Sequence, residues 1–366
     1  MKVTKLELYN YRNFNNLAVE FGGEKIGLLG ANGLGKTNIL EALYVLSTGT
    51  SWRSLRDFEL ISHREMSSRL SCVVEKESES FDLSLALARD PIMGERSHKR
   101  YFVNGVPRTK KVFTSKLFTL LFVPEDLLCV AGAPGIRRSY LDRFLVSLFD
   151  DYHLVLTRYQ RVLTNRNRLL EKVREREAQM DQLDYWTEQM VELGSEIYSH
   201  RLAFFRRIEE VVDNVYSVLY KPNIVSVTGT RSSEEIKVLY QGHIMKNLHK
   251  EVLTAQSQYG PHKDDFGFVI NDQPASQYAS RGQQRSALLW FIHSQLEYFV
   301  SILGESPVVL LDDMFSELDA NHRKDLLTMF SGYQVFVTGC EPFYFSRDAG
   351  VFDVVYEVSS GNISEL

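Results

Sequence analysis

Eight consecutive residues, Gly30-Ala31-Asn32-Gly33-Leu34-Gly35-Lys36-Thr37, constrain the fold more than any other stretch of this chain. They follow an apolar run, Ile26-Gly27-Leu28-Leu29, and lead into a helix-like stretch from Ile39 to Leu46. A buried strand, a glycine turn and a helix start surround an anion with backbone N–H groups and the positive end of a helix dipole. The glycines permit close backbone approach, Lys36 can reach β- and γ-phosphates, and the Thr37 hydroxyl suits Mg²⁺. The chain must therefore contain a strand–loop–helix unit of a nucleotide-binding α/β fold.

A second segment completes such a site. Pro307-Val308-Val309-Leu310-Leu311-Asp312-Asp313 is an apolar strand ending in two carboxylates. A strand this hydrophobic is buried on both faces, which puts its acidic end at the carboxyl edge of a parallel sheet, where ligands bind. Asp312 is then placed to hold Mg²⁺ opposite Thr37, and Asp313 to orient or deprotonate an attacking water. Structural capping is the competing reading for carboxylates at a strand end.

Between these segments the hydrophobic period changes. Lys5–Tyr9, Leu70–Val74 and Phe81–Leu85 alternate as strands, and Tyr101-Phe102-Val103, Asn104-Gly105 and Val106 predict a hairpin. From about residue 138, apolar residues recur three or four apart: Leu141, Leu145, Leu148, Tyr152, Val155, Tyr159 and Val162. The pattern resumes at Leu183, Trp186, Met190, Leu193 and Ile197, then Phe204, Ile208, Val211 and Val215. The charged linker Glu171–Asp181 joins two amphipathic helices able to pack antiparallel as an arm. A long coiled coil is the alternative, but too few heptads are present for a rod. Strand signals return at Ile224–Val227, Lys237–Tyr240 and Val335–Val337.

Composition bounds the setting. At 366 residues the chain should form two or three units, and 44% hydrophobic with 24% charged residues is ordinary for a soluble globular protein. No apolar run approaches the roughly 20 residues of a membrane span, and the first residues lack the apolar core of a signal peptide. Cys72, Cys129 and Cys340 form no CxxC pair, so disulfide or zinc frameworks are not expected and a reducing cytoplasm fits. A net charge of −5 argues against a polyanion partner taken alone, but its distribution matters more. Basic residues gather at His98-Lys99-Arg100, Arg108 with Lys110-Lys111, Arg137-Arg138, and along Arg158, Arg161, Arg166 and Arg168. Each cluster has a plain alternative as a solvated, charge-balanced face.

Ser280-Arg281-Gly282-Gln283-Gln284-Arg285 precedes an apolar helix, and Ser316-Glu317-Leu318-Asp319 follows the acidic strand. Ser, Gly and Gln at a helix start offer donors to phosphate oxygens, with a plain N-cap as the alternative for Ser280. With this spacing the chain resembles the ATP-binding-cassette superfamily, and within it the heads of SMC-type chromosome proteins. The resemblance implies that two chains clamp two ATP molecules, with Ser280, Gly282 and Gln283 facing the partner's nucleotide and Asp319 at the seam.

Further blocks narrow it. Tyr9-Asn10-Tyr11-Arg12-Asn13-Phe14, Lys36-Thr37-Asn38, Thr50-Ser51-Trp52-Arg53, Pro124-Glu125-Asp126 through Tyr140-Leu141-Asp142, Gly260-Pro261-His262-Lys263-Asp264-Asp265, and Asp312 through Asp319 are similar to the RecF family. These blocks run in family order over essentially the whole chain. The resemblance implies a two-lobed SMC-type head with a short helical arm: residues 1–135 as the first lobe, 136–220 as the arm and 221–366 as the second lobe. It implies Arg12 and Asn13 as phosphate-side contacts, with ATP and Mg²⁺ as cofactors. It further implies ATP-dependent dimerisation on double-stranded or gapped DNA and slow, DNA-stimulated hydrolysis. The role it implies is recombinational repair within the DNA-damage (SOS) response, where RecO and RecR help load recombinase.

Departures from the superfamily are specific. Asp313 stands where most cassette ATPases have Glu, compatible with a switch that hydrolyses slowly. Thr338-Gly339 stands where a sensor His is common. No glutamine marks the metal-contacting loop, and Glu125 and Asp126 nearby have structural readings of equal weight. Arg108, Lys110, Lys111, Arg137, Arg138, Arg158 and Arg161 are the candidates for sequence-independent phosphate contacts, Arg137 and Arg138 being equally readable as partners of Asp142 or other acids. Two other readings compete with a DNA clamp: an ATP-binding scaffold that hardly hydrolyses, and the cytosolic engine of a transporter. The helical insertion and the missing His speak against the last.

Overall fold

Residues of period two build the first layer. In the computed structural model, which describes residues 1–54, 56–76, 79–90, 92, 96–149, 151–210, 215–224, 232–345 and 352–366, Leu6, Leu8, Leu70, Cys72, Leu83, Leu85 and Leu87 line one buried face of an antiparallel sheet. Its six strands run in the order Phe14–Glu20, Lys2–Tyr11, Ser67–Lys76, Glu79–Arg89, Ser97–Val103 and Val106–Arg108. The last two form the expected hairpin, with Asn104 at φ 52° and Gly105 at φ 73°, the paired positive angles that favour Asn-Gly in tight turns.

The second sheet has the order Asn362–Glu365, Val354–Ser359, Lys25–Leu29, Val335–Gly339, Val308–Leu311 and Thr119–Phe122. All but the first of these pair in parallel. Val308, Val309, Leu310 and Leu311 are fully buried, each contributing about 1.5–3 kcal/mol by leaving water. The helix Lys36–Thr48 packs against strands of both sheets and is buried along nearly its whole length. Two-sided burial explains why its stretch from Ile39 to Leu46 is apolar on every side apart from Glu41.

These sheets belong to one compact unit, Met1–Asp126 together with Phe299–Leu366; a second comprises Leu127–Tyr298. The strand bearing Asp312 thus shares a unit with the phosphate loop, whereas the sequence division had placed it with residues 221–366.

The second unit is largely helical: Pro134–Leu148, Tyr152–Arg174, Leu183–Glu210, Ser233–Thr254 and most of Arg281–Leu303. A three-stranded antiparallel sheet of Gln273–Pro274, Asp265–Ile270 and Tyr216–Lys221 accompanies them. The two long helices do pack antiparallel. The Tyr152 and His200 rings lie 5.4 Å apart at one end, and Arg166 Nε donates to Thr187 Oγ1 at 3.0 Å toward the other.

Three expectations need correction. Lys237–Tyr240 is helical, because Ser232 and Glu235 form a reciprocal capping box and Ile236, Tyr240 and Ile244 then fall on one buried face. The apolar series from Leu141 to Val162 is split between two helices around Phe149 and Asp151. The series ending at Val215 leaves its helix at Glu210, and Val215 is exposed just before a strand. Val211 and Val225-Ser226-Val227 lie outside the described residues.

Candidate nucleotide site

The loop strand Lys25–Leu29 ends beneath the turn, and two glycines set the path of the chain from there to the helix. Gly33 has φ +82° and Gly35 φ +112°, a region L-residues with side chains avoid. A Cβ on Gly35 would lie 2.6 Å from the Phe14 ring, and one on Gly30 would lie 2.4 Å from the Val358 carbonyl oxygen. Lys36 is almost fully buried, and its ammonium donates to the Gly30 and Ala31 carbonyls at 2.6 and 2.9 Å. It thereby holds the cradle in shape while pointing along its inner wall. Cys340, which the sequence shows only as a cysteine without a CxxC partner, closes that wall. Its Sγ lies 3.6 Å from Lys36 Nζ and donates to Asn32 Oδ1 at 2.7 Å.

The acidic strand meets the loop as its chemistry demands. Thr37 Oγ1 donates to Asp312 Oδ1 at 2.9 Å, and Thr338 Oγ1 donates to the same oxygen at 2.8 Å. Burial pushes the Asp312 carboxyl above its ordinary range, and the two hydroxyl donors oppose that rise. Asp313 follows with φ 48°, and its amide donates to Thr338 Oγ1 at 2.8 Å. One hydroxyl therefore ties both positions together. The Asp313 carboxyl is also raised, first by burial and then by the neighbouring Asp312 charge.

Arg12 and Asn13 play different parts. Arg12 forms a bidentate pair with Glu41, Nε at 2.8 Å and Nη2 at 2.6 Å, and also donates to the Glu59 carbonyl. Glu41 is fully buried in the loop helix and additionally accepts from Ser51 Oγ at 2.6 Å. Arg12 is thus committed to an internal carboxylate. Asn13 Nδ2 instead donates to the Leu34 carbonyl at 2.9 Å, bracing the loop, while its Oδ1 accepts from Asn38. Arg53 continues that chain by donating to Asn38 Oδ1 at 2.7 Å. Sequence reasoning missed Glu41 and the bonding roles of Thr338 and Cys340, because none of these belongs to a motif. A lone Glu in an otherwise apolar helix was the available signal for the first.

In the second unit, Ser280 begins the helix that carries Gly282. Ser280 N donates to Gln283 Oε1 at 2.8 Å and Gln283 N donates to Ser280 Oγ at 3.3 Å, a capping box. The Ser280 hydroxyl proton is left free of this bond. Asp319, in the first unit, caps Ala320–Met329 by accepting from His322 N and Asn321 N; the His322 amide first, then its ring, hold the carboxyl below the usual range. Asp126 accepts from Val123 N at 2.9 Å and is buried, which makes it a turn cap, and Glu125 is exposed.

The basic candidates separate by burial. Arg137 is buried and bidentate to Asp265 at 2.6 and 2.8 Å, so it is removed from the phosphate-contact set. Its partner is Asp265; Asp142 pairs with Arg201. Arg138 is half-buried and donates to the Asp264 carbonyl. Arg108, Lys111, Arg158 and Arg161 are exposed, and Lys110 is half-buried. Arg166, named among the basic residues, is fully buried in an ion pair with Glu251 at 2.7 Å.

A glycine loop on a central parallel strand, an acidic strand end one strand removed, and an antiparallel sheet covering the loop helix define an SMC-type P-loop ATPase head. Residues 2–361 match the RecF/RecN/SMC N terminal domain family. The chain is 31% identical over 384 residues to the DNA replication and repair protein RecF of Natranaerobius thermophilus, covering 100% of this chain and 98% of the relative. A solved structure of the recombination mediator protein RecF-ATPrS in the RecFOR pathway superposes with a TM-score of 0.84 at 27% identity, covering 100% and 98% of the two chains. A solved SmcHead bound to the C-winged helix domain of ScpA shares the fold alone, with a TM-score of 0.52 at 16% identity over 100% and 98%. The chain belongs to the RecF family. Among the described residues no helix is long and apolar enough to cross a membrane.

Proposed function

We propose that this chain is an ATP-dependent DNA-binding protein of DNA replication and repair, acting as a nucleotide-switched dimeric clamp. The observation that carries the reading is the convergence of Thr37, Asp312 and Thr338 beside a glycine loop whose lysine is already in place. Full-length similarity to RecF proteins named for DNA replication and repair, one solved with ATP, supports the biological setting.

Mg²⁺ fits the donors: a buried carboxylate and a hydroxyl 2.9 Å apart are hard oxygen ligands, and Mg²⁺ at NTPase sites takes few protein ligands beside substrate phosphates. Asp312 and Thr37 would hold it, and when bound it neutralises charge on the phosphate oxygens. Backbone N–H groups of Gly33 to Thr37 bind the phosphates, and Lys36 exchanges its carbonyl partners for phosphate oxygens. Asp313, its proton affinity raised by burial and by Asp312, orients or deprotonates the attacking water. Hydrolysis is slow and stimulated by DNA, in keeping with a switch. Ser280, Gly282 and Gln283 of one chain complete the site of the other, with Asp319 at the seam. Arg108, Lys110, Lys111, Arg138, Arg158 and Arg161 supply sequence-independent phosphate contacts to double-stranded DNA or single/double-strand junctions. The family partners RecO and RecR, recombinase loading and a cytoplasmic location complete the proposal.

Sedimentation with ATP, ADP or no nucleotide, with and without gapped DNA, tests the clamp. Lys36→Ala should lose ATP binding, dimerisation and DNA affinity together. Ser280→Arg should keep monomer ATP affinity within about twofold and lose the dimer. Equal loss of both in the Ser280 variant, or ATP-dependent DNA binding that survives in the Lys36 variant, would sink the proposal.

A further inference from the structure

The three cysteines of this chain differ in what can reach them. Cys72 and Cys129 are 2% and 0% exposed, and burial pushes the Cys72 thiol well above its ordinary range. Cys340, directly after the strand Val335–Gly339, is half-buried, and its sulfur lies against the phosphate loop. The Lys36 ammonium has three N–H donors. Two go to the Gly30 and Ala31 carbonyls, and the third is directed at Cys340 Sγ across 3.6 Å. On its other side the thiol donates to Asn32 Oδ1 at 2.7 Å. A sulfur that solvent can reach is therefore in contact with the nitrogen of a lysine only 6% exposed. Phosphate binding uses the nitrogen and leaves the sulfur without a task.

We propose that Cys340 is an oxidation site whose sulfur closes covalently onto Lys36 and shuts the phosphate cradle. The inference rests on the phosphate role of Lys36. The oxidant is hydrogen peroxide: thiol and peroxide give a sulfenic acid and water, two electrons passing from sulfur to the O–O bond. Lys36 gives one proton to solvent, and its lone pair attacks the sulfur. The S–N bond forms, the S–O bond breaks, and the leaving hydroxide takes a second proton from nitrogen to depart as water. A sulfenic acid condenses with a neighbouring nitrogen in this way where no second thiol is at hand, and Cys72 and Cys129 are sealed in the core. Two equivalents of a small thiol reverse the reaction. The first takes the sulfur as a mixed disulfide and frees the amine; the second restores the Cys340 thiol as the small disulfide leaves. In the closed form Lys36 has lost both its charge and its reach toward phosphate. Bound nucleotide draws Lys36 off the sulfur, so an occupied site is protected and an empty one is open to oxidation.

Peroxide treatment of the full chain, with and without ATP, then trypsin under non-reducing conditions and mass spectrometry, reads the bond itself. Lys36 should resist cleavage, leaving Ile26–Arg53 joined to Asp325–Arg347 at the summed mass less two hydrogens. Saturating ATP should suppress this species, and dithiothreitol should reverse it. ATP affinity of the treated chain should fall by about tenfold or more, the worth of one charged hydrogen bond, and return with dithiothreitol. In Cys340→Ser, peroxide should change neither cleavage at Lys36 nor ATP affinity relative to the untreated variant. Cys340 recovered as a sulfinic acid with Lys36 still cleaved, or an affinity loss of the same size in Cys340→Ser, would overturn the assignment. So would a cross-link that leaves ATP affinity unmoved, which would refute the phosphate role of Lys36 as well. Absence of the cross-link, with ATP binding lost in Lys36→Ala, would overturn the oxidation site and leave that role intact.

Discussion

Arg12→Met should be among the most damaging single changes in the first unit, and the structure says by how much. Glu41 is fully buried, and Arg12 supplies both bonds of a bidentate pair at 2.8 and 2.6 Å. Removing one partner of a buried ion pair typically costs about 3–5 kcal/mol, because the other charge is stranded. Two features pull toward the lower end: the Arg12 side chain is 19% exposed, and Ser51 Oγ and Arg53, at 2.6 and 3.7 Å, still face the carboxylate. We expect about 3 kcal/mol, or roughly 6–12 °C in Tm for a unit of this size. Glu41→Gln keeps the shape without the charge and should cost about 1–2 kcal/mol, since Arg12 can turn to water. The double variant should then be less destabilised than the sum of the singles by about 1–2 kcal/mol. Calorimetry of all four proteins reads this directly. Strict additivity, or an Arg12→Met protein melting within a degree of wild type, would show that the pair does not hold the loop helix to its neighbours.

Gly35→Ala combines a positive φ with a Cβ 2.6 Å from Phe14 and should cost roughly 2–5 kcal/mol, whereas Gly33→Ala, with φ +82° but open space, should cost about 1–2; equal melting temperatures would contradict this. Thr338→Val strands the Asp313 amide and removes one donor from Asp312, costing roughly 1–3 kcal/mol and raising the Asp312 pKa further, with Thr338→Ser restoring both in a pH-dependent unfolding series. Burial lowers the His262 pKa to about 4, its Nε2–H donating to the Ser257 carbonyl and its Nδ1 accepting from the Tyr159 hydroxyl. The unfolded chain, with its imidazole near 6.5, binds more protons between these values, so stability should fall by roughly 3 kcal/mol as pH drops from 6.5 to 4. In His262→Gln that part of the acid limb should be flat when urea unfolding is followed against pH.

The glycine loop and the acidic strand were legible because each is a local pattern with a single physical reading: a turn only glycines permit, and a strand too apolar to be half-exposed. The Asn104-Gly105 hairpin was legible for the same reason. Lys237–Tyr240 was misread because four residues carry no reliable period; the capping signal at Ser232 and Glu235, three residues apart, would have decided for a helix. Arg137 read equally as a phosphate contact or as a partner of an acid, because the acid it pairs with, Asp265, lies 128 residues away in the chain. Arg12 and Glu41 are separated by 29 residues, and Thr338 from Asp312 by 26, so their bonds are set by which strands become neighbours. Such pairs are invisible until the topology is known.

The order of the parallel sheet has a consequence for when the site comes into being. The loop strand Lys25–Leu29 is flanked by Val335–Gly339 and Val354–Ser359, and the Val358 carbonyl forms the floor under Gly30. The phosphate loop is thus made long before the two strands that finish it. While the ribosome is still at work, its strand has no hydrogen-bonded neighbour and its cradle no base. Closing contacts that distant in sequence is slow, and it defers nucleotide capture until both of those strands are in place. A nascent or truncated copy would carry the motif in full and bind nothing. For a molecule proposed to close on DNA in response to ATP, such a delay keeps unfinished chains from answering the signal.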